Sequence, residues 1–197
     1  MHRFLSALFA TVLLCAFCLA QSKPVDVFAG FSWVSHDFSL TNDNGGGLTG
    51  WNASATFPAT PRIGVAADFS GYYPGFNTGC PGCGQHAKIF TFLVGPQISA
   101  SRGRLTPFAR FLLGGTHMTT SIDSLPNYIT FTSNHSFTFG GGGGVNVRLS
   151  PRFALRGQVD WLHNGFTTTD NQRRNEEIHN VARLSTGIVL CLGGTPD

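Results

Sequence analysis

Between Phe137 and Trp161 the chain reads FTFGGGGGVNVRLSPRFALRGQVDW, and taking every second residue separates it into two sets. Phe137, Phe139, Gly141, Gly143, Val145, Val147 and Leu149 form an uncharged set, against Thr138, Gly140, Gly142, Gly144, Asn146 and Arg148. After Ser150-Pro151 the alternation resumes, with Phe153, Leu155, Gly157, Val159 and Trp161 against Arg152, Ala154, Arg156, Gln158 and Asp160. A period of two over this length predicts strands, and the tight turn between them predicts a hairpin. Each arm has roughly ten residues or more, beyond the usual five or six of a globular strand. That length suits the about 9–11 residues a tilted strand needs to cross a bilayer.

The same unit recurs along the chain. Val25, Val27, Ala29, Phe31 and Trp33 predict a first strand, and a polar, glycine-rich loop follows at 37–47. Trp51, Ala53, Ala55 and Phe57 predict a second, which turns at Pro58-Ala59-Thr60-Pro61 into a third carrying Ile63, Val65, Ala67 and Phe69 and ending in Tyr72-Tyr73. A loop at 74–87 leads to the fourth strand (Phe90, Phe92, Val94, Pro96, Ile98), where Pro96 removes a ladder donor and calls for a local bulge. Ser101-Arg102-Gly103-Arg104 turns into the fifth (Pro107, Ala109, Phe111, Leu113, Gly115). A long loop is expected at 119–135, then the hairpin above as strands six and seven, then a second long polar loop at 163–179. Ala182, Leu184, Thr186, Ile188, Leu190 and Leu192 mark the eighth strand.

Eight strands alternate long and short connections. The expected fold is all-β, an eight-stranded antiparallel up-and-down transmembrane β-barrel, because a closed barrel leaves no unpaired edge in hydrocarbon. A soluble barrel of lipocalin type shows the same alternation with the faces reversed. Two features separate them. The uncharged face carries more aromatic and aliphatic volume than an eight-stranded lumen holds, and the other face is rich in Gly, Ser, Thr and Ala.

Composition agrees with that choice. Only 12% of residues are charged, where soluble domains carry about a quarter, and no internal segment reads as a membrane-spanning helix. Residues 1–20 read as a secretory signal peptide: Arg3, an apolar run from Phe4 to Ala20, then cleavage before Gln21. The barrel domain is then 21–197. Removing Arg3 from the 13 Lys and Arg leaves 12 against 10 acids, net +2, too weak a balance to argue for nucleic acid. Cys80, Cys83 and Cys191 remain in an exported, oxidising setting. Cys80-Pro81-Gly82-Cys83 fits a loop disulfide, a redox motif or half a zinc site; no second CxxC exists, and a loop disulfide is the reading adopted. No cofactor or metal is expected.

The segments GWNASATF, PRIGVAADFSGYY, FTFLVGPQ, TPFARFLLGG, FGGGGGVNVRLSPRFALRGQVDWL and RLSTGIVL together resemble the small outer-membrane β-barrel domain family of Gram-negative bacteria, of the OmpA-transmembrane-domain and OmpX kind. The resemblance covers the whole mature chain and carries fold more than activity. It implies residence in the cell outer membrane, with the lipid bilayer and, during biogenesis, the barrel-assembly machinery as partners. Such chains usually end on an aromatic residue; here the last strand ends Leu190-Cys191-Leu192 before a GGTPD tail.

Trp33, Trp51, Tyr72, Tyr73 and Trp161 lie near strand ends, as an interfacial aromatic girdle would. The alternation points Asp68, Arg110, Arg148, Arg156, Asp160 and Arg183 inward, with Asn52, Gln97, Asn146 and Gln158 among them. This set reads as a polar plug locking the lumen, or as a narrow pore favouring anions because four Arg outnumber two Asp. No catalytic group is expected. His135 and Ser136 are neighbours on a strand and point to opposite faces, and Asp160 and His163 differ by an odd spacing. The run Gly140–Gly144 lacks the helix start and Lys-Ser/Thr of a phosphate loop, and reads as small residues in a tight lumen. The expected role is structural or one of surface interaction through the long loops, with a narrow channel as the alternative and a lipid-directed outer-membrane enzyme a distant third.

Overall fold

The structure, a computed structural model, describes residues 25–35, 47–73, 75–77, 84–124, 128–170 and 173–192. Residues 1–20, read above as a signal peptide, and Cys80-Cys83 lie outside them. The described elements are all strands: β1 (Val25–Val34), β2 (Leu48–Pro58), β3 (Ile63–Tyr72), β4 (Gly75–Asn77), β5 (Gly84–Ser99), β6 (Leu105–Ser124), β7 (Tyr128–Arg148), β8 (Phe153–Asp170) and β9 (Arg173–Leu192). Each pairs antiparallel with its neighbours in the order β3-β2-β1-β9-β8-β7-β6-β5, and β3 with β5 closes the ring. The short β4 continues β3 past Pro74. Tyr72 faces Ile89 and Gly75 faces His86, which is one unbroken register. Nine elements therefore make an eight-stranded closed transmembrane barrel.

One row of pairs fixes its stagger. Val34 faces Arg183, then Asp160, Gly142, Arg110, Gln97, Gly64 and Pro58 follow in turn around the wall. Because Asp26 faces Thr56, two residues short of Pro58, the row returns to its starting strand ten residues from Val34. Such a stagger tilts the strands and winds the row as a spiral. Three ionised residues of the row, Arg183, Asp160 and Arg110, therefore enter the lumen from neighbouring positions.

The faces sort as the alternation requires. Phe137 and Leu149 are each 64% exposed and Ile98 60%, and outward apolar side chains encircle the wall. In water these surfaces would cost about 25 cal/mol per Å²; hydrocarbon removes that cost, which excludes the soluble, inside-out barrel. Inward positions of the glycine run are vacated for the opposite strand. A Cβ at Gly142 would strike Asp160 Oδ1 and the Val159 carbonyl, and one at Gly144 would lie 2.8 Å from Gln158 Cβ.

Three expectations change, the first being the loop expected at 74–87, which is paired strand at Gly75–Asn77 and from Gly84 onward. The stretches 119–135 and 163–179 are largely strand, with β6 and β7 paired out to Ser124↔Tyr128 and β8 and β9 to Asp170↔Arg173. Beyond the lipid neither face needs to be apolar, so the alternation fades while Thr, Ile, Tyr and Phe keep their strand preference. Nor does Pro96 create a bulge. Pairing of β5 with β6 is interrupted between Val94↔Leu113 and Gln97↔Arg110 and resumes in the same register, and Val65 faces Pro96 on the other side.

Candidate functional site

The lumen holds the chain's most concentrated chemistry. Arg183 on β9, Asp160 on β8, Arg110 on β6 and Asp68 on β3 are 4% exposed or less and meet at its centre. Arg110 donates Nε to Asp160 Oδ1 at 2.9 Å and Nη2 to Asp160 Oδ2 at 2.7 Å, a bidentate fork. Arg183 donates Nε and Nη2 to Asp160 Oδ2 at 3.1 and 2.9 Å, and Nη1 to Asp68 Oδ1 at 2.8 Å. Arg110 Nη1 lies 3.1 Å from Asp68 Oδ2, an ion contact without hydrogen-bond alignment. Two cations and two anions thus form a closed, neutral ring of charge. Ser70 Oγ accepts from Arg183 Nη1 at 3.2 Å, and Asn52 Nδ2 donates to Asp68 Oδ1 at 3.0 Å. Gln158 Nε2 supports Asn52 Oδ1 at 2.9 Å.

Arg156 stands apart, buried and without a carboxylate. Its guanidinium carbon lies 5.1 Å from the Phe28 ring centre and 4.8 Å from that of Phe108, a cation held between two π faces. Its Nε donates to Asn146 Oδ1 at 2.7 Å and its Nη1 to Ser54 Oγ at 3.2 Å. The buried lumen therefore carries three Arg against two Asp.

Toward the long-hairpin end, Leu93, Leu112, Ile89, Leu162, Val181 and Val34 form an apolar layer. Thr91, Thr116, Thr138 and Asn164 join in a hydrogen-bonded string of 2.7–3.3 Å. Toward the short turns a vestibule of about 800 Å³ opens, lined among others by Asp26, Gln97, Arg104, Asn146, Arg148 and Cys191. Cys191 sits partly buried at its wall, against the small cluster of Phe28, Ala154 and Val189.

Two residues are displaced from their expected places. Arg148 does not join the plug: it is exposed at the vestibule rim, because the lumen opens to water at its level on β7. Tyr72 does not join the girdle. It is 4% exposed inside the barrel, where its hydroxyl meets Ser32 Oγ at 2.8 Å. Tyr73, the next residue, must point the other way, and Trp51 Nε1 donates to its hydroxyl at 3.3 Å. Trp33, Tyr73 and Trp161 are exposed on the outer wall, and Trp51 is half-buried there. Ser32, Ser54, Ser70, Thr138, Asn164 and Asp26 are readable only from inward parity, since none belongs to a motif.

This arrangement suits closure better than reaction. Both carboxylates are held by guanidinium groups. His135 lies on the outer wall and Ser136 inside; Asp160 is in the lumen and His163 outside.

No protein-family model and no curated protein sequence matches the chain. Solved structures do. The attachment invasion locus protein Ail of Yersinia pestis, in complex with the heparin analogue sucrose octasulfate, is similar over 87% of this chain and 99% of its own, at 14% identity and a TM-score of 0.61. Neisserial surface protein A covers 84% of this chain and 96% of its own, at 18% identity and a TM-score of 0.56. A major outer membrane protein from Thermus thermophilus covers 85% and 99%, at 12% identity and a TM-score of 0.56. At these identities the likeness concerns fold. The fold is that of the small outer-membrane barrels.

Proposed function

We propose that this chain is an exported, non-enzymatic protein of the Gram-negative outer membrane, acting at the cell surface through the hairpins at the long-connection end. In this reading residues 1–20 are its cleaved leader, the barrel-assembly machinery inserts it, and Cys80-Cys83 is a loop disulfide. One observation carries the proposal: the lumen is filled by ionic and apolar layers, while the wall continues far past them. From Thr116↔Ser136 the β6–β7 ladder runs to Ser124↔Tyr128, about 27 Å of strand at roughly 3.4 Å per residue. A barrel closed inside and extended outside is built to present a surface.

The ligand class to try first is a sulfated polyanion, since the Ail structure holds a heparin analogue. Cells displaying the chain should retain immobilised heparin, and cells displaying a version shortened within 119–134 and 166–177 should not. Equal retention by both, with both barrels folded, would refute a role for the hairpins in that contact. The vestibule and the excess Arg156 favour a second reading, a narrow anion-selective channel. Planar-bilayer recording separates the two. Surface presentation predicts no unitary current, whereas a channel predicts one that changes with Arg110→Ala or Arg183→Ala.

A further inference from the structure

On the outer wall His117 of β6 and His135 of β7 face each other directly across the ladder. Both point away from the lumen, since their neighbours Thr116 and Ser136 are buried inside. The ring centres are 4.4 Å apart with planes tilted by 35°, and the two Nδ1 atoms are 3.3 Å apart. We propose that His117 and His135 form a two-imidazole site for a divalent transition-metal ion, with Cu²⁺ bound more tightly than Zn²⁺.

The distance is the first argument. Two imidazole nitrogens bound to one tetrahedral ion at about 2.0–2.1 Å stand about 3.4 Å apart, so the backbone is already placed and only ring rotation remains. A supporting contact adds to this. His117 Nε2 lies 3.1 Å from Thr119 Oγ1. With Nε2–H donating to that hydroxyl, Nδ1 keeps its lone pair, the arrangement that fixes a metal-binding tautomer. Without an ion the two facing Nδ1 atoms then share the one proton of His135. For both lone pairs to face the ion, His135 takes its Nε2–H tautomer, the proton passing through solvent. Third, the pair sits within the longest ladder of the barrel, which holds the two Cβ atoms at cross-strand distance.

No third His, Cys, Asp or Glu joins them among the described residues, so water completes the coordination. Imidazole suits copper and zinc, and copper leads the affinity order. His163 provides an internal comparison. It lies opposite Phe139, four residues along β7 from His135, and is engaged with Asn180 Oδ1 at 2.8 Å.

The test uses the full folded barrel, purified without a histidine tag in a non-chelating buffer. Cu²⁺ and Zn²⁺ are titrated separately by calorimetry, and the Cu²⁺ complex is examined by electron paramagnetic resonance. The expected result is one saturable ion per barrel with a two-nitrogen copper signature. His117→Gln and His135→Gln should each weaken binding by more than tenfold, Thr119→Val by roughly tenfold, and His163→Gln should leave it unchanged. Heat-dependent gel mobility verifies that every variant is folded. No saturable binding by the wild-type barrel, or binding that survives in both His117→Gln and His135→Gln, would overturn the site.

Discussion

Asp160→Asn probes the charge ring most sharply, because it keeps the side-chain shape and removes only the charge. Asp160 accepts four contacts of 2.7–3.1 Å from two guanidinium groups. Each hydrogen bond to a charged partner contributes about 1.5–3 kcal/mol by itself, but the four share one carboxylate and do not add. The larger effect is electrostatic. Arg110 and Arg183, both buried, would be left sharing Asp68 alone, one uncompensated cation near a second, Arg156. Removing one partner of a buried ionic group costs about 3–5 kcal/mol, and with side-chain exposures of 0–1% no solvent discount applies. Urea unfolding in lipid vesicles, followed by tryptophan fluorescence, measures the loss. Arg110→Met in the Asp160→Asn background restores neutrality. It should cost about 2 kcal/mol less there than in the wild type, a coupling that a double-mutant cycle reads directly. A loss below about 1 kcal/mol for Asp160→Asn, or strictly additive effects, would refute the ring as a structural lock.

Three further outcomes follow from the same geometry. Tyr72→Phe removes the hydroxyl that meets Ser32 and should lower stability by about 1 kcal/mol, read as a lower urea midpoint. Gly142→Val would drive a side chain into Asp160 and the β8 backbone; at about 3 kcal/mol or more of overpacking, the folded, fast-migrating gel band should be lost. Val159→Arg places a charge on the exposed outer wall and should cost about 2–4 kcal/mol in a bilayer, whereas little or no loss of stability in vesicles would contradict the lipid-facing assignment.

The lipid-spanning strands are legible in the sequence because two solvents, hydrocarbon outside and a packed lumen inside, impose a strict period of two. The fifth strand and the 137–161 hairpin show it plainly, and β6, β7 and β8 contain them apart from the turn residues 149–152. The outer ladders are not legible, since Thr119 to Ser124 and Tyr128 to Asn134 carry no apolar–polar alternation. Tyr72 is misplaced when Tyr72-Tyr73 is treated as one girdle element, because adjacent strand residues must diverge. Arg148 is misplaced when the lumen is extended to the end of β7; parity gives the side, not the depth. Inward parity does mark Asp68, Arg110, Asp160 and Arg183. That they meet in one ring depends on the ten-residue stagger, a property of strand register that no single strand encodes.

A closed barrel in the outer membrane is tested most directly by gel mobility from purified outer membranes. The protein should migrate faster in SDS unboiled than boiled, because a closed barrel resists the detergent until heated. A single unshifted band, with the protein recovered in the soluble periplasmic fraction, would contradict a membrane barrel.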